Sequence, residues 1–203
     1  VIAAEMNDGR TVQRLLQQGV DPNQADARGR KALFIAAKEE SQRALESLLA
    51  SPDLRLDEAN AQGETPLMIA AIRGSLGAVQ ALVKRGAAVN RPGWTPLHYA
   101  CSGPDNGVAA FLLAQGAEPN ARSENGTTPL MMAARYGNTD VIPLLLKAGA
   151  EPRAANEQEL TAADFAARGG RDVLAKELRR ISQQRQQRAA EAARAAEAAS
   201  SAN

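Results

Sequence analysis

Apolar residues along this chain gather in short clusters that return at a nearly constant interval. A compact, alanine-rich stretch such as Leu67-Met68-Ile69-Ala70-Ala71 is followed by a second stretch with an apolar stripe, as in Val141, Ile142, Leu145 and Leu146. The first pattern predicts a short helix whose paired alanines admit a close neighbour; the second predicts an amphipathic helix. Glycine-containing polar turns separate the two, as at Arg73-Gly74 and Tyr136-Gly137. The first helices open on near copies: Thr65-Pro66-Leu67-Met68, Thr95-Pro96-Leu97-His98 and Thr128-Pro129-Leu130-Met131. Degraded copies stand at Lys31-Ala32-Leu33-Phe34 and Thr161-Ala162-Ala163-Asp164, so the starts lie 34, 30, 33 and 33 residues apart. Threonine suits a helix cap, and proline at the first helical position loses no useful N–H. Gly86, Gly116 and Gly149 each follow their threonine by 21 residues and close the second helix, where glycine fits a left-handed cap.

One such unit cannot bury its own apolar face, whereas a stack of them makes a continuous core. The expected fold is therefore all-α: a solenoid of about six stacked helix pairs joined by short hairpin loops. The repeats fall at about 1–23, 24–58, 59–90, 91–120, 121–153 and 154–181. Residues 182–203 are an Ala/Gln/Arg-rich helical extension expected to run past the body and fray near Ser200. Three irregularities stand out. The first repeat opens directly in Ile2-Ala3-Ala4, so its first helix is expected to be short. The segment Ser102–Gly107, with two glycines and a proline, reads as an irregular loop. The turn from Gly86 to Thr95 spans 9 residues against 12 from Gly116 to Thr128, so its hairpin is clipped around Pro92-Gly93-Trp94.

The run Thr95-Pro96-Leu97-His98-Tyr99-Ala100 is close to the ankyrin-repeat signature, and the pattern from Ile2 to Ile181 resembles that family. The resemblance implies an elongated stack with the first and last repeats as caps. It also implies binding of a partner protein through the hairpin tips and the concave surface of the first helices. Among residues at those positions, tryptophan, tyrosine and arginine are the favoured anchors of an interface. The candidate patch is Ile72, Arg73, Trp94, Arg135 and Tyr136, with Arg28 and Arg30 on an earlier hairpin. The alternative for Trp94 is that it packs on its own hairpin. Tyr99 and Phe165 share the register of Ile69 and Met132 and read as core. Leu145→Ala is expected to lower the melting point clearly, and Trp94→Ala is not.

Composition narrows the function further. With 24 basic and 23 acidic residues the net charge is +1, so no global field draws in nucleic acid or an anionic membrane. The basic run Arg28-Gly29-Arg30-Lys31 is too short to change that. No apolar run approaches the ~20 residues of a membrane span, and no cofactor motif is present. His98 and Cys101, the only histidine and cysteine, stand three apart, but a metal site needs further ligands. The resemblance gives His98 a turn-bracing role instead. Ser102 and Asp105 lie near His98 without the setting of a catalytic triad, and Asp57-Glu58 lacks calcium-loop spacing. The expected function is a protein-binding module, monomeric by itself. The alternative is an inhibitor or self-protection protein that blocks a specific enzyme; a remote alternative is metal binding or catalysis through His98 and Cys101. The start at Val1 suggests a processed or trimmed N-terminus. The abundance of Ala, Arg and Gln over Lys and Asn suggests a GC-rich genome. The chain also resembles small bacterial ankyrin-repeat proteins, several of which are made with export signals; that resemblance implies a bacterial, periplasmic or exported protein, with the cytoplasm and delivery into a host as alternatives.

Overall fold

Four of the six inner helices begin at a threonine that forms a capping box with the residue three positions on. In the computed structural model, Thr65 Oγ1 accepts the Met68 N–H at 3.3 Å and Thr128 Oγ1 accepts that of Met131 at 3.4 Å. The return bond to the threonine N–H comes from chemically different side chains. His98 Nδ1 accepts it at 3.1 Å, Asp164 Oδ2 at 3.0 Å, and the sulfurs of Met68 and Met131 lie at 3.3 Å. This is a capping box in which the third helical residue changes while the geometry stays.

The structure describes residues 1–137 and 139–201, the last four of these by backbone alone. The end of the expected extension, 202–203, lies outside the described residues. Twelve helices are present among the described residues, and they alternate between an inner and an outer row. The inner row is α1 (Ile2–Glu5), α3 (Ala32–Lys38), α5 (Pro66–Arg73), α7 (Pro96–Ala100), α9 (Pro129–Arg135) and α11 (Ala162–Arg168). The outer row is α2 (Gly9–Gln17), α4 (Gln42–Leu49), α6 (Leu76–Arg85), α8 (Asn106–Ala114), α10 (Val141–Lys147) and α12 (Asp172–Ser201). The inner helices pack on their equivalents in the adjacent pairs, the outer helices from α2 to α10 do the same, and each helix packs on its own partner, which defines the stack.

The core repeats with the sequence. Leu48, Leu82, Leu112, Leu145 and Leu178 occupy the same register of successive outer helices and are at most 2% exposed. The inner alanine pairs Ala36-Ala37, Ala70-Ala71 and Ala133-Ala134 are fully buried, and their small side chains set the close approach of one pair to the next. Gly137 shows how close this is: a Cβ there would collide with the Cys101 carbonyl oxygen of the preceding repeat.

The turns are tied across repeats by a row of side chains. Asn23, Asn90 and Asn120 each donate to a carbonyl of the next turn (Asp53, Gly116 and Gly149) at 2.8–2.9 Å. Each also accepts an N–H from that turn, at 2.8–2.9 Å from Arg55, Glu118 and Glu151. Asp57 fills the missing place by accepting the Ala88 N–H at 2.9 Å.

Two expectations need adjusting. The segment expected as a loop over Ser102–Gly107 is shorter, because Asp105 accepts the Gly107 N–H at 2.8 Å and starts α8 at Asn106. Tyr99 and Phe165, expected in the core, are half-buried, as are Ile69 and Met132. This register faces along the inner row rather than between rows, so these side chains pack on the core with one side open. The short first helix is present, since α1 has four residues. At the other end α12 runs 30 residues. Ala175 and Leu178 anchor it, and Arg185 donates to the carbonyls of Ala150 and Leu146 at 2.7 and 2.9 Å. Residues 186–197 are exposed.

Candidate partner-binding surface

Four of the turns before an inner helix form a small hairpin. Backbone bonds from Asp26 to Arg30, Asn60 to Glu64, Ser123 to Thr127 and Asn156 to Leu160 close them at 2.8–3.1 Å. The turn before Thr95 has no such bond. Asn120 and Thr128 are eight positions apart, while Asn90 and Thr95 are five apart, so three residues of the hairpin are missing. The turn residue two positions before the threonine is kept: Gly93 has φ 77°, close to the 74°, 78° and 76° of Gly29, Gly63 and Gly126. What remains is a gap in the row of hairpins, with Trp94 at its edge.

Trp94 is half-buried. Its ring meets His98 edge-on at 5.1 Å and Tyr99 at 6.4 Å. Beside it lies a cavity of about 240 Å³ walled by Ile72, Trp94, His98, Tyr99, Ser102 and Met132. These residues come from three consecutive repeats. The structure thus brings Ile72 and Trp94 of the candidate patch together. Arg73, exposed, ends α5 beside Ile72. Arg135 and Tyr136 end α9, one turn beyond Met132. The Arg135 guanidinium sits 5.1 Å from the centre of the Tyr136 ring, which is 56% exposed. Arg28 and Arg30 are on the hairpin before α3, two repeats away. Arg28 is exposed, but Arg30 is bound to Glu5 and to Asp26. Tyr99 and Met132 were not among the candidates. Their four-residue offset from the helix start, shared with Ile69, is the signal that could have placed them on this face.

A larger hollow of about 710 Å³ opens at the N-terminal end among Ile2, Met6, Leu15, Leu16 and Val20. It lies beside the four-residue α1, and its polar lining consists of Asp8, Thr11, Asp21, Gln24 and Asp26.

The buried polar groups around the notch are structural. Because the Thr95 N–H donates to His98 Nδ1, the imidazole proton is on Nε2 and donates to the Thr127 carbonyl at 3.0 Å. Burial lowers the His98 pKa below its ordinary 6.5. Burial, with Glu64 second, pushes the Tyr99 phenol up to about 12, and its hydroxyl donates to Glu64 Oε1 at 3.3 Å. Burial also raises the Cys101 thiol, which keeps it protonated. The geometry gives the remote alternative through His98 and Cys101 no support: both imidazole nitrogens are engaged and Cys101 is 1% exposed. Ser102 donates to the His98 backbone carbonyl at 3.1 Å rather than to its ring. Among the described residues no three histidine, cysteine or acidic side chains gather as a metal site, and no helix is long and apolar enough to cross a membrane.

The family pattern described as ankyrin repeats (3 copies) matches residues 1–92, 43–123 and 104–186. The chain belongs to the ankyrin-repeat family. Members of this family are protein–protein interaction modules. This ankyrin-repeat chain is 33% identical over 111 residues to ankyrin repeat and SAM domain-containing protein 6 of Rattus norvegicus, covering 53% of this chain and 12% of that protein. It is 31% identical over 128 residues to Rabankyrin-5 of Homo sapiens, covering 61% and 11%. It is 38% identical over 74 residues to protein phosphatase 1 regulatory subunit 27 of Mus musculus, covering 35% and 48%. The chain thus spans about a tenth to a half of the length of these relatives. All three are mammalian, so they lend nothing to the expectation of a bacterial source.

Proposed function

We propose that this ankyrin-repeat chain binds a partner protein across its hairpin tips and the concave face of its inner helices. Ile72, Arg73, Trp94, Arg135 and Tyr136 form the main contact patch, and Arg28 and Arg30 lie at its N-terminal margin. The observation that carries this reading is the gap before Thr95. The clipped turn opens an apolar notch across three repeats, walled by the only tryptophan of the chain. A tryptophan anchored at its base, an exposed tyrosine and two arginines nearby match the residues that dominate binding at interfaces. The internal pairing of Arg30 makes it a weaker contributor than Arg28.

The test is capture of a partner by wild type and by a Trp94→Ala/Arg135→Ala/Tyr136→Ala variant, with folding checked by circular dichroism. A partner held by wild type and lost by the folded variant supports the patch. Equal retention moves the site elsewhere. A narrower form has the partner be an enzyme that binding blocks; the likeness to a protein named as a phosphatase regulatory subunit supports an enzyme as the partner. Stoichiometric loss of the captured partner's activity supports that form, and undiminished activity excludes it.

A further inference from the structure

The notch is apolar inside and acidic at its hairpin edge. Ile72, Trp94, Tyr99 and Met132 supply the walls. Glu64 touches the rim through the Tyr99 hydroxyl, and its other oxygen accepts from Asn60 at 2.8 Å. Glu124 reaches over from the next hairpin into the space left by the missing residues, where its carboxylate lies against Gly93. It has no ion-pair partner among the described residues, and it is exposed. The cation that acts on the same phenol as these two carboxylates, Arg91, is already committed to the Gly63 carbonyl at 2.8 Å.

Size and charge together select an occupant. A cavity of about 240 Å³ is below the ~300–1,000 Å³ of small-molecule sites but has room for one long side chain. A purely aliphatic anchor would use the walls and leave two carboxylates desolvated beneath the partner, which is costly. A lysine or arginine places its methylene stem on the apolar walls and its charge at the rim. There it meets both carboxylates.

Resting on the reading that the inner face binds a protein, we propose that this notch receives a lysine or arginine side chain from a basic segment of the partner. The stem lies against Ile72 and Met132, and the cation lies between Glu64 and Glu124.

The experiment selects random dodecapeptides by display on the full chain and titrates the winners against Trp94 fluorescence. The selected peptides are expected to share a basic residue. Replacing it by norleucine, or using the Glu64→Gln/Glu124→Gln variant, is expected to weaken binding about tenfold or more. Affinity is expected to fall as salt rises from about 0.05 to about 0.5 M. Glu124→Gln alone removes charge without removing a hydrogen bond, so its loss of affinity cannot come from misfolding. Winners that share an uncharged apolar residue, or that ignore salt and both glutamines, overturn the basic occupant while leaving the inner-face reading intact. Winners that still bind when Ser102→Trp fills the notch of a folded chain overturn both. Failure to select any peptide overturns the proposal.

Discussion

The leucine row of the outer helices offers the sharpest quantitative test of the stack. Leu145 is fully buried in α10, in register with Leu112 before it and Leu178 after it. Leu145→Ala removes three carbon groups. At ~0.8 kcal/mol each the transfer cost is about 2.4 kcal/mol, and the cavity between rigid neighbours raises it to about 3–4 kcal/mol. For an array of this size each kcal/mol is worth about 2–4 °C, so the melting point should fall by roughly 6–16 °C. Leu144, the preceding residue, is half-buried. Leu144→Ala should cost about 1 kcal/mol, because much of its side chain already meets water. Urea denaturation followed by far-UV circular dichroism measures both. A loss below about 1 kcal/mol at Leu145, or equal losses at the two positions, would refute the assignment of faces in α10.

Trp94→Ala should cost about 1–2 kcal/mol, since it gives up the edge contacts to His98 and Tyr99; that is less than Leu145→Ala but not the zero expected of a free surface residue, and the same urea titration measures it. Gly137→Ala should destabilise by about 2–3 kcal/mol, because the added Cβ meets the backbone carbonyl of Cys101 rather than a movable side chain; an unchanged urea midpoint would contradict the close approach. His98 gives a pH test. Its folded pKa lies below the unfolded 6.5, so on acidification the unfolded chain takes up a proton that the folded chain refuses. The contribution is nil above that value, and below it stability falls by up to ~1.4 kcal/mol per pH unit until the folded pKa is reached. Urea midpoints taken from neutral pH down through 6 should show this slope in wild type and lose it in His98→Met, the residue that Met68 and Met131 supply at the same position; equal slopes in the two would refute it.

How legible each feature was depended on whether its cause was local. Thr65-Pro66, Thr95-Pro96 and Thr128-Pro129 carry their own capping chemistry, so the helix starts and the repeat could be read directly. The closing glycines Gly86, Gly116 and Gly149 have φ of 107°, 84° and 95°, as a left-handed cap demands. The start of α8 was missed because two glycines and a proline outweighed the single cap that Asp105 supplies. The notch was half legible. The clipped turn is a count of residues, and Trp94 stands at it. That Tyr99 and Ser102 of one repeat would share its walls with Met132 of the next depends on how adjacent pairs are rotated, which no single repeat encodes. The engagement of Arg30 by Glu5, 25 positions away, was hidden for the same reason.

The most direct test of the account is hydrogen–deuterium exchange on the full chain with and without its captured partner. Binding through the inner face should slow exchange in the hairpins and inner helices around Glu64–Arg73, Arg91–Ser102 and Glu124–Tyr136, and leave the exposed side of α6, α8 and α10 unchanged. Protection confined to those outer helices, or to α12 beyond Arg185, would contradict it.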